Sequence, residues 1–178
     1  LYLRNNIDDM IVRDVSITKV VWGAICVSRS QNITIEDVIT EGGHYGYSVT
    51  GAPITYGRNI TFKNCIVDNR SAVGPTHGFW MEYSIDNIEV ISGSVHNCYN
   101  GVYFNCYDNA SIRFEDFRTR TSVENAISGD AWSDFSASFV NCDLGSSTNT
   151  VISKPYYPQR IDLINCSYSE LSDFDISG

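Results

Sequence analysis

Apolar and polar residues alternate in short runs along this chain, and the runs recur. One reads Asn59-Ile60-Thr61-Phe62-Lys63-Asn64-Cys65-Ile66-Val67. Earlier copies are Asp9-Met10-Ile11-Val12-Arg13-Asp14-Val15 and Asn32-Ile33-Thr34-Ile35-Glu36-Asp37-Val38. Later ones open at Asn87-Ile88, Ser111-Ile112, Ser136-Ala137 and Arg160-Ile161. The copies start at 9, 32, 59, 87, 111, 136 and 160, so the steps run from 23 to 28 residues. A near-constant step of this size marks a solenoid, in which each repeat buries its apolar face only against its neighbours. The two-residue period inside each copy is that of a strand with one buried face. No window carries apolar residues at helical spacing, and no leucine-rich frame is present.

A second strand follows fourteen residues after most starts, as Ala24-Ile25-Cys26, Tyr47-Ser48-Val49, Phe79-Trp80-Met81 and Val102-Tyr103-Phe104. Gly23, Gly46, Gly78 and Gly101 introduce these strands, and the expected reason is a corner of positive φ. Between the two strands lies a column of small polar residues: Asp14, Asp37, Asn64, Ser92, Asp116, Asn141 and Asn165. Such side chains bond nearby backbone and accept left-handed conformations, so they predict a stacked corner. The residue after each (Val15, Val38, Cys65, Phe117, Cys142, Cys166) is expected to point inward. The fold class is therefore all-β, a right-handed single-stranded parallel β-helix of about seven coils, roughly 30 Å long. Residues 1–178 form a single β-helix segment. Leu1-Tyr2-Leu3-Arg4 and Phe174-Asp175-Ile176-Ser177-Gly178 read as partial coils, so a longer solenoid is expected.

The repeat N-I-T-[IF]-x-[DN]-[CV] resembles the pectate-lyase-like superfamily, which includes bacteriophage tailspikes. The resemblance covers nearly the whole chain and speaks for fold more than for function. It implies a homotrimer and a tailspike-type protein that binds and depolymerises a bacterial surface polysaccharide, placed in a virion tail. A non-catalytic receptor-binding or structural β-helix is an alternative, as is a secreted bacterial carbohydrate-active enzyme. The calcium-binding Asp cluster and the Arg of true pectate lyases are not recognisable, which argues against pectinolysis.

Charge and cysteines narrow the partners. The formal charge of −9 argues against nucleic acid. No apolar run has membrane-spanning length, so membrane insertion is not expected. The six cysteines (Cys26, Cys65, Cys98, Cys106, Cys142, Cys166) fall in repeat register. They read as free, buried thiols that pack as small hydrophobes. No cofactor and no metal site is expected. The Asn-x-Ser/Thr triplets at Asn32, Asn59, Asn69, Asn109 and Asn165 follow from the repeat itself.

Departures from regularity point to a site. Two adjacent coils are enlarged, by residues 50–57 and 68–77. Between these loops, register places Trp80 and Tyr103 at one outward position and Glu82 and Asn105 at the next, beside Thr50. Trp80, Tyr103, Tyr45 and Tyr83 are candidates to stack on sugar rings, and Asn105 to bond a hydroxyl. Glu82 is the candidate acid or base, assisted by His77 or His44. A glycosidase needs a second carboxyl; Asp86, Asp108, Glu124, Asp130 and Asp134 offer no clear partner. The other reading of Trp80 and Tyr103 is cover by a loop or subunit, and of the histidines, turn caps. Trp132 and the turn Lys154-Pro155-Tyr156-Tyr157-Pro158 are a second candidate surface. Tyr47 reads as core.

Overall fold

The computed structural model describes residues 1–51, 57–69, 76–107, 110–120, 123–129, 135–144, 147–152 and 160–168. The strands are β1 (Tyr2–Arg4), β2 (Asp8–Val20), β3 (Gly23–Ser28), β4 (Gln31–Gly42), β5 (Tyr45–Thr50) and β6 (Gly57–Lys63). Then come β7 (Ile66–Asp68), β8 (His77–Ile91), β9 (Ser94–His96), β10 (Asn100–Tyr107) and β11 (Ala110–Glu115). The chain closes with β12 (Arg118–Thr119), β13 (Val123–Gly129), β14 (Phe135–Val140), β15 (Ser147–Ile152) and β16 (Arg160–Ile164). All the strand pairings are parallel. The protein is an all-β parallel solenoid.

The repeat positions stack as the period requires. Met10, Ile33, Ile60, Ile88, Ile112, Ala137 and Ile161 pair in one ladder, built from β2, β4, β6, the second half of β8, β11, β14 and β16. We call this the first sheet. A second sheet takes β1, β3, β5, the first half of β8, β10, β13 and β15. A third, shorter ladder joins Ile39–Glu41 of β4 to β7, β9 and β12. The alternation does not reveal this third ladder, because two or three residues are too few to show a period. Seven rungs stack, but only the five from Ile33 to Ala137 are enclosed on both sides. The solenoid thus has about five turns, where about seven coils were expected.

The small polar column forms the corner that it predicts. Asp14, Asp37, Asn64, Ser92, Asp116, Asn141 and Asn165 all have φ between 52° and 57°. Asn64 Nδ2 donates to Asp37 Oδ1 at 2.9 Å, so neighbouring corners are bonded across rungs. The same device recurs at entry to the first sheet. There Asp9, Asn32, Asn59 and Asn87 have φ of 50–55°. Asn59 bonds Asn32, and Asn87 bonds Asn59, each at 2.9 Å. The glycine column works differently from expectation. Gly46 and Gly78 are not among the positive-φ residues. A Cβ at Gly46 would run into Val67, and one at Gly78 into Val95 and the carbonyl of Gly101. Space, and not backbone conformation, selects glycine there.

Inward side chains fill the interior. Ile35, Phe62, Val90, Phe114 and Phe139 stack along the first sheet and are fully buried. Tyr47, Phe79 and Val102 stack opposite them. Phe79 is the hub: its ring lies 5.0 Å from Tyr47, 5.5 Å from Phe62 and 5.8 Å from Phe117. Each such aromatic contributes about 1.5–3 kcal/mol through burial. The buried Tyr47 hydroxyl donates to the Val38 carbonyl at 2.7 Å. All six thiols are free, and all but the partly exposed Cys166 are buried. Burial raises the Cys65 thiol pKa to about 11 and that of Cys98 to about 12.

Candidate functional site

The outward side of the second sheet brings the sequence candidates together. Cα pairing sets Ser48, Trp80 and Tyr103 in one row and Thr50, Glu82 and Asn105 in the next. A third column holds Tyr45, His77, Asn100 and Asn125. The rings form a contiguous cluster. Trp80 lies 4.8 Å from Tyr103, and His77 lies 4.7 Å from each of them. Tyr45 joins at 5.8 Å from Trp80. Its ring lies over Gly23, in space that any Cβ there would occupy. Burial raises the Tyr45 hydroxyl pKa, with Cys26, Tyr2 and Glu82 adding to the shift.

His44 and His77 do approach each other. His77 N donates to the His44 carbonyl at 2.7 Å, and His44 N donates to the Trp22 carbonyl at 2.6 Å. The His44 ring stands 4.9 Å from that of Trp22. His77 is 9% exposed. Its Nδ1 accepts from Asn100 Nδ2 at 3.0 Å, and Asn125 Nδ2 donates to Asn100 Oδ1 at 2.9 Å. This direction of donation leaves the ring proton of neutral His77 on Nε2. Desolvation, assisted by the nearby His44, lowers the His77 pKa to about 4. At neutral pH His77 is therefore uncharged and packed against both Trp80 and Tyr103.

Glu82 is the single carboxylate among the described side chains of these three columns. Partial burial raises its pKa; hydrogen bonding, chiefly from Asn105, offsets part of this. Asn105 Nδ2 donates to Glu82 Oε1 at 3.4 Å. The Trp80 indole N–H favours the charged form without reaching hydrogen-bond geometry, and Nε1 is buried with no partner. Asn105 Oδ1 is also buried and unpartnered. A donor on the row beside Glu82 and an acceptor on its own row are thus left unsatisfied. Buried polar atoms of this kind each cost about 1–3 kcal/mol unless a partner arrives. Tyr83, 41% exposed, turns the corner within β8 at φ 61°. That conformation is uncommon for a bulky residue and often accompanies a functional site.

Asp86 pairs in register with Arg58 on the first sheet, away from Glu82. The tips of both enlarged loops (52–56 and 70–75) lie outside the described residues. So do Asp108, Asp130, Asp134, Trp132, 154–158, 174–178 and the side chain of Glu124. Sequence reasoning missed Asn100 and Asn125. Their signal was the register position shared with His77, just before Gly101 for Asn100 and just before Ala126 for Asn125. Among the described residues, no group of three or more His, Cys, Asp or Glu converges as a metal site.

A depression of about 340 Å³ lies elsewhere, on the first sheet between Asn87, Glu89, Arg113, Ser138, Arg160 and Asp162. Its guanidinium groups are already paired, Arg113 with Glu115 at 3.1 Å and Arg160 with Asp162 at 2.9 Å. Of the four buried polar atoms without partners among the described residues, Trp80 Nε1 and Asn105 Oδ1 lie on the second sheet, and Asn69 Oδ1 and Thr119 Oγ1 lie at the third ladder. Comparison with known proteins finds no matching family model, no matching curated protein and no matching solved structure.

Proposed function

We propose that the chain is a tailspike-type glycan-binding β-helix, and that the outward side of its second sheet receives a bacterial surface polysaccharide. One observation carries this reading: the Tyr45–His77–Trp80–Tyr103 ring cluster borders Glu82 and Asn105, where an indole N–H and an amide oxygen lack partners. Aromatic faces stack on sugar rings, and hydroxyls supply the donors and acceptors that such atoms need. The test is affinity for a panel of purified bacterial surface polysaccharides. Trp80→Ala should weaken binding by about 1–3 kcal/mol, the range of other aromatic stacking platforms. Unchanged affinity, in a variant that melts like the parent, overturns the assignment of this face.

A second reading adds depolymerisation. The raised pKa of Glu82 favours it, because a carboxyl that keeps its proton nearer neutrality is a better general acid. Glu82→Gln should then retain glycan binding and lower chain cleavage by roughly 10²–10⁴-fold. Cleavage at the parental rate removes the catalytic role and leaves a receptor-binding β-helix. A homotrimer, in a virion tail or secreted, accompanies either reading, and light scattering that returns a monomer mass for the intact protein rejects it.

A further inference from the structure

The row that carries Trp80 and Tyr103 continues towards the first rung. Cα pairing places Tyr2, Cys26, Ser48, Trp80 and Tyr103 in one line, and Arg4, Ser28, Thr50, Glu82 and Asn105 in the next. The two intervening rungs carry only small side chains on these lines, and these side chains bond each other. Cys26 Sγ lies 2.8 Å from Ser48 Oγ, and Thr50 Oγ1 donates to Ser28 Oγ at 3.0 Å. Cys26 and Ser48 are buried, and the partly exposed Ser28 and Thr50 form the low stretch between the aromatic ends. Tyr2, at the far end, is 50% exposed. The Arg4 guanidinium stands over its ring, 4.9 Å from the centroid. Arg4 is exposed and forms no ion pair among the described residues.

Charge is unevenly spread along this face: a guanidinium at the first rung, a carboxyl at the fourth. The two rungs are three strand spacings apart, or about 14 Å. That is longer than one sugar ring and suits a chain laid along the solenoid axis. A guanidinium is the side chain best matched to a carboxylate, through two parallel N–H···O bonds. A carboxylate beside Glu82 would instead be repelled, and the protein's −9 charge disfavours a ligand that is acidic at every unit.

We infer that Tyr2 and Arg4 form a second subsite on this face, and that it takes an acidic sugar of a linear glycan whose neutral units lie over Trp80 and Tyr103. The inference rests on the glycan-binding reading and adds to it a ligand class, a minimum length and a direction along the solenoid. Tyr2 stacks on the acidic ring, Arg4 pairs with its carboxylate, and the linkage between passes over the partly exposed Ser28 and Thr50.

Two ligand series test it on the full chain by calorimetry. Hyaluronan oligosaccharides, from disaccharide to octasaccharide, alternate neutral and carboxylated sugars. Chitin oligosaccharides of the same lengths are neutral. Affinity for hyaluronan should rise with length until the chain spans both ends, and then exceed that for chitin by about tenfold, one guanidinium–carboxylate pair. Tyr2→Ala and Arg4→Gln should abolish that rise and that preference, with disaccharide affinity unchanged and parental melting. Trp80→Ala should weaken binding at every length. If Arg4→Gln and Tyr2→Ala keep the parental length profile while Trp80→Ala weakens every ligand, the second subsite is wrong and the glycan face stands. If binding is insensitive to Trp80→Ala, the glycan face itself falls. If hyaluronan of no length binds, the acidic-sugar assignment is overturned, and the surface-polysaccharide panel alone decides the face.

Discussion

The outward sides of the two long sheets are built on the same rungs, in the same register, over one core, yet they are finished differently. On the first sheet, polar side chains satisfy one another from rung to rung. Arg58 Nε donates to Gln31 Oε1 at 2.7 Å, Gln31 Nε2 to Asp8 Oδ2 at 2.8 Å, and Lys63 pairs with Glu36 at 2.7 Å. The second sheet carries rings, a half-buried acid with a raised pKa, a histidine held neutral, and two polar atoms without partners. A solenoid needs only its inward residues to stack, so outward residues are free to serve something else. Where they close their own hydrogen bonds, solubility and register suffice as an explanation. Where they leave bonds open under aromatic cover, a ligand is the economical one.

Three perturbations break or sharpen this contrast, in decreasing size of effect. Phe79→Ala removes the core hub that both sheets share, and should cost about 3–5 kcal/mol in urea unfolding. Both faces should be lost together; a variant that loses under 1 kcal/mol would mean that the sheets do not depend on a common core. The next change acts on the second sheet alone. The unfolded chain binds a proton on His77 near the usual 6.5, whereas the folded chain resists until about 4. The stabilising effect of neutral His77 is therefore complete above pH 6.5 and disappears as pH falls towards 4. The loss is about 3 kcal/mol, from about 1.36 kcal/mol per pH unit. Urea midpoints across that range should fall less steeply in His77→Gln than in the parent; parallel curves would show that His77 titrates normally. The smallest effect belongs to the first sheet. Arg113→Ala breaks a partly exposed pair with Glu115 and should change stability by under about 1 kcal/mol, with glycan affinity unaltered. A tenfold loss of glycan affinity in that variant would instead move the site to the first sheet.

Most of the scaffold was legible because its signals are local. A two-residue period assigns sides of a strand wherever it occurs, and Asp or Asn at positive φ needs only its own backbone. Hence Ile33, Ile60, Ile88 and Ile112 stack as expected, and the polar column turns the corner at every rung. The site was legible in part for the same reason: Trp80 with Tyr103, and Glu82 with Asn105, share rows that register alone predicts. The glycine column was misread in its cause, since the atoms that crowd Gly46 and Gly78 belong to strands some twenty residues away.

The sequence by itself determined the repeat, the side of each strand that faces inward, the left-handed corners and the free thiols, because each depends on spacing or on one residue's own conformational preference. Only the tertiary structure decided that His77 is buried and neutral, through Asn100, Asn125 and two rings brought from neighbouring positions. It likewise decided that Trp80 Nε1 and Asn105 Oδ1 lack partners, and that Tyr2 and Arg4 share a face with Glu82. Desolvation and hydrogen-bond satisfaction are sums over every neighbour in space, and in a solenoid those neighbours lie a full coil away along the chain.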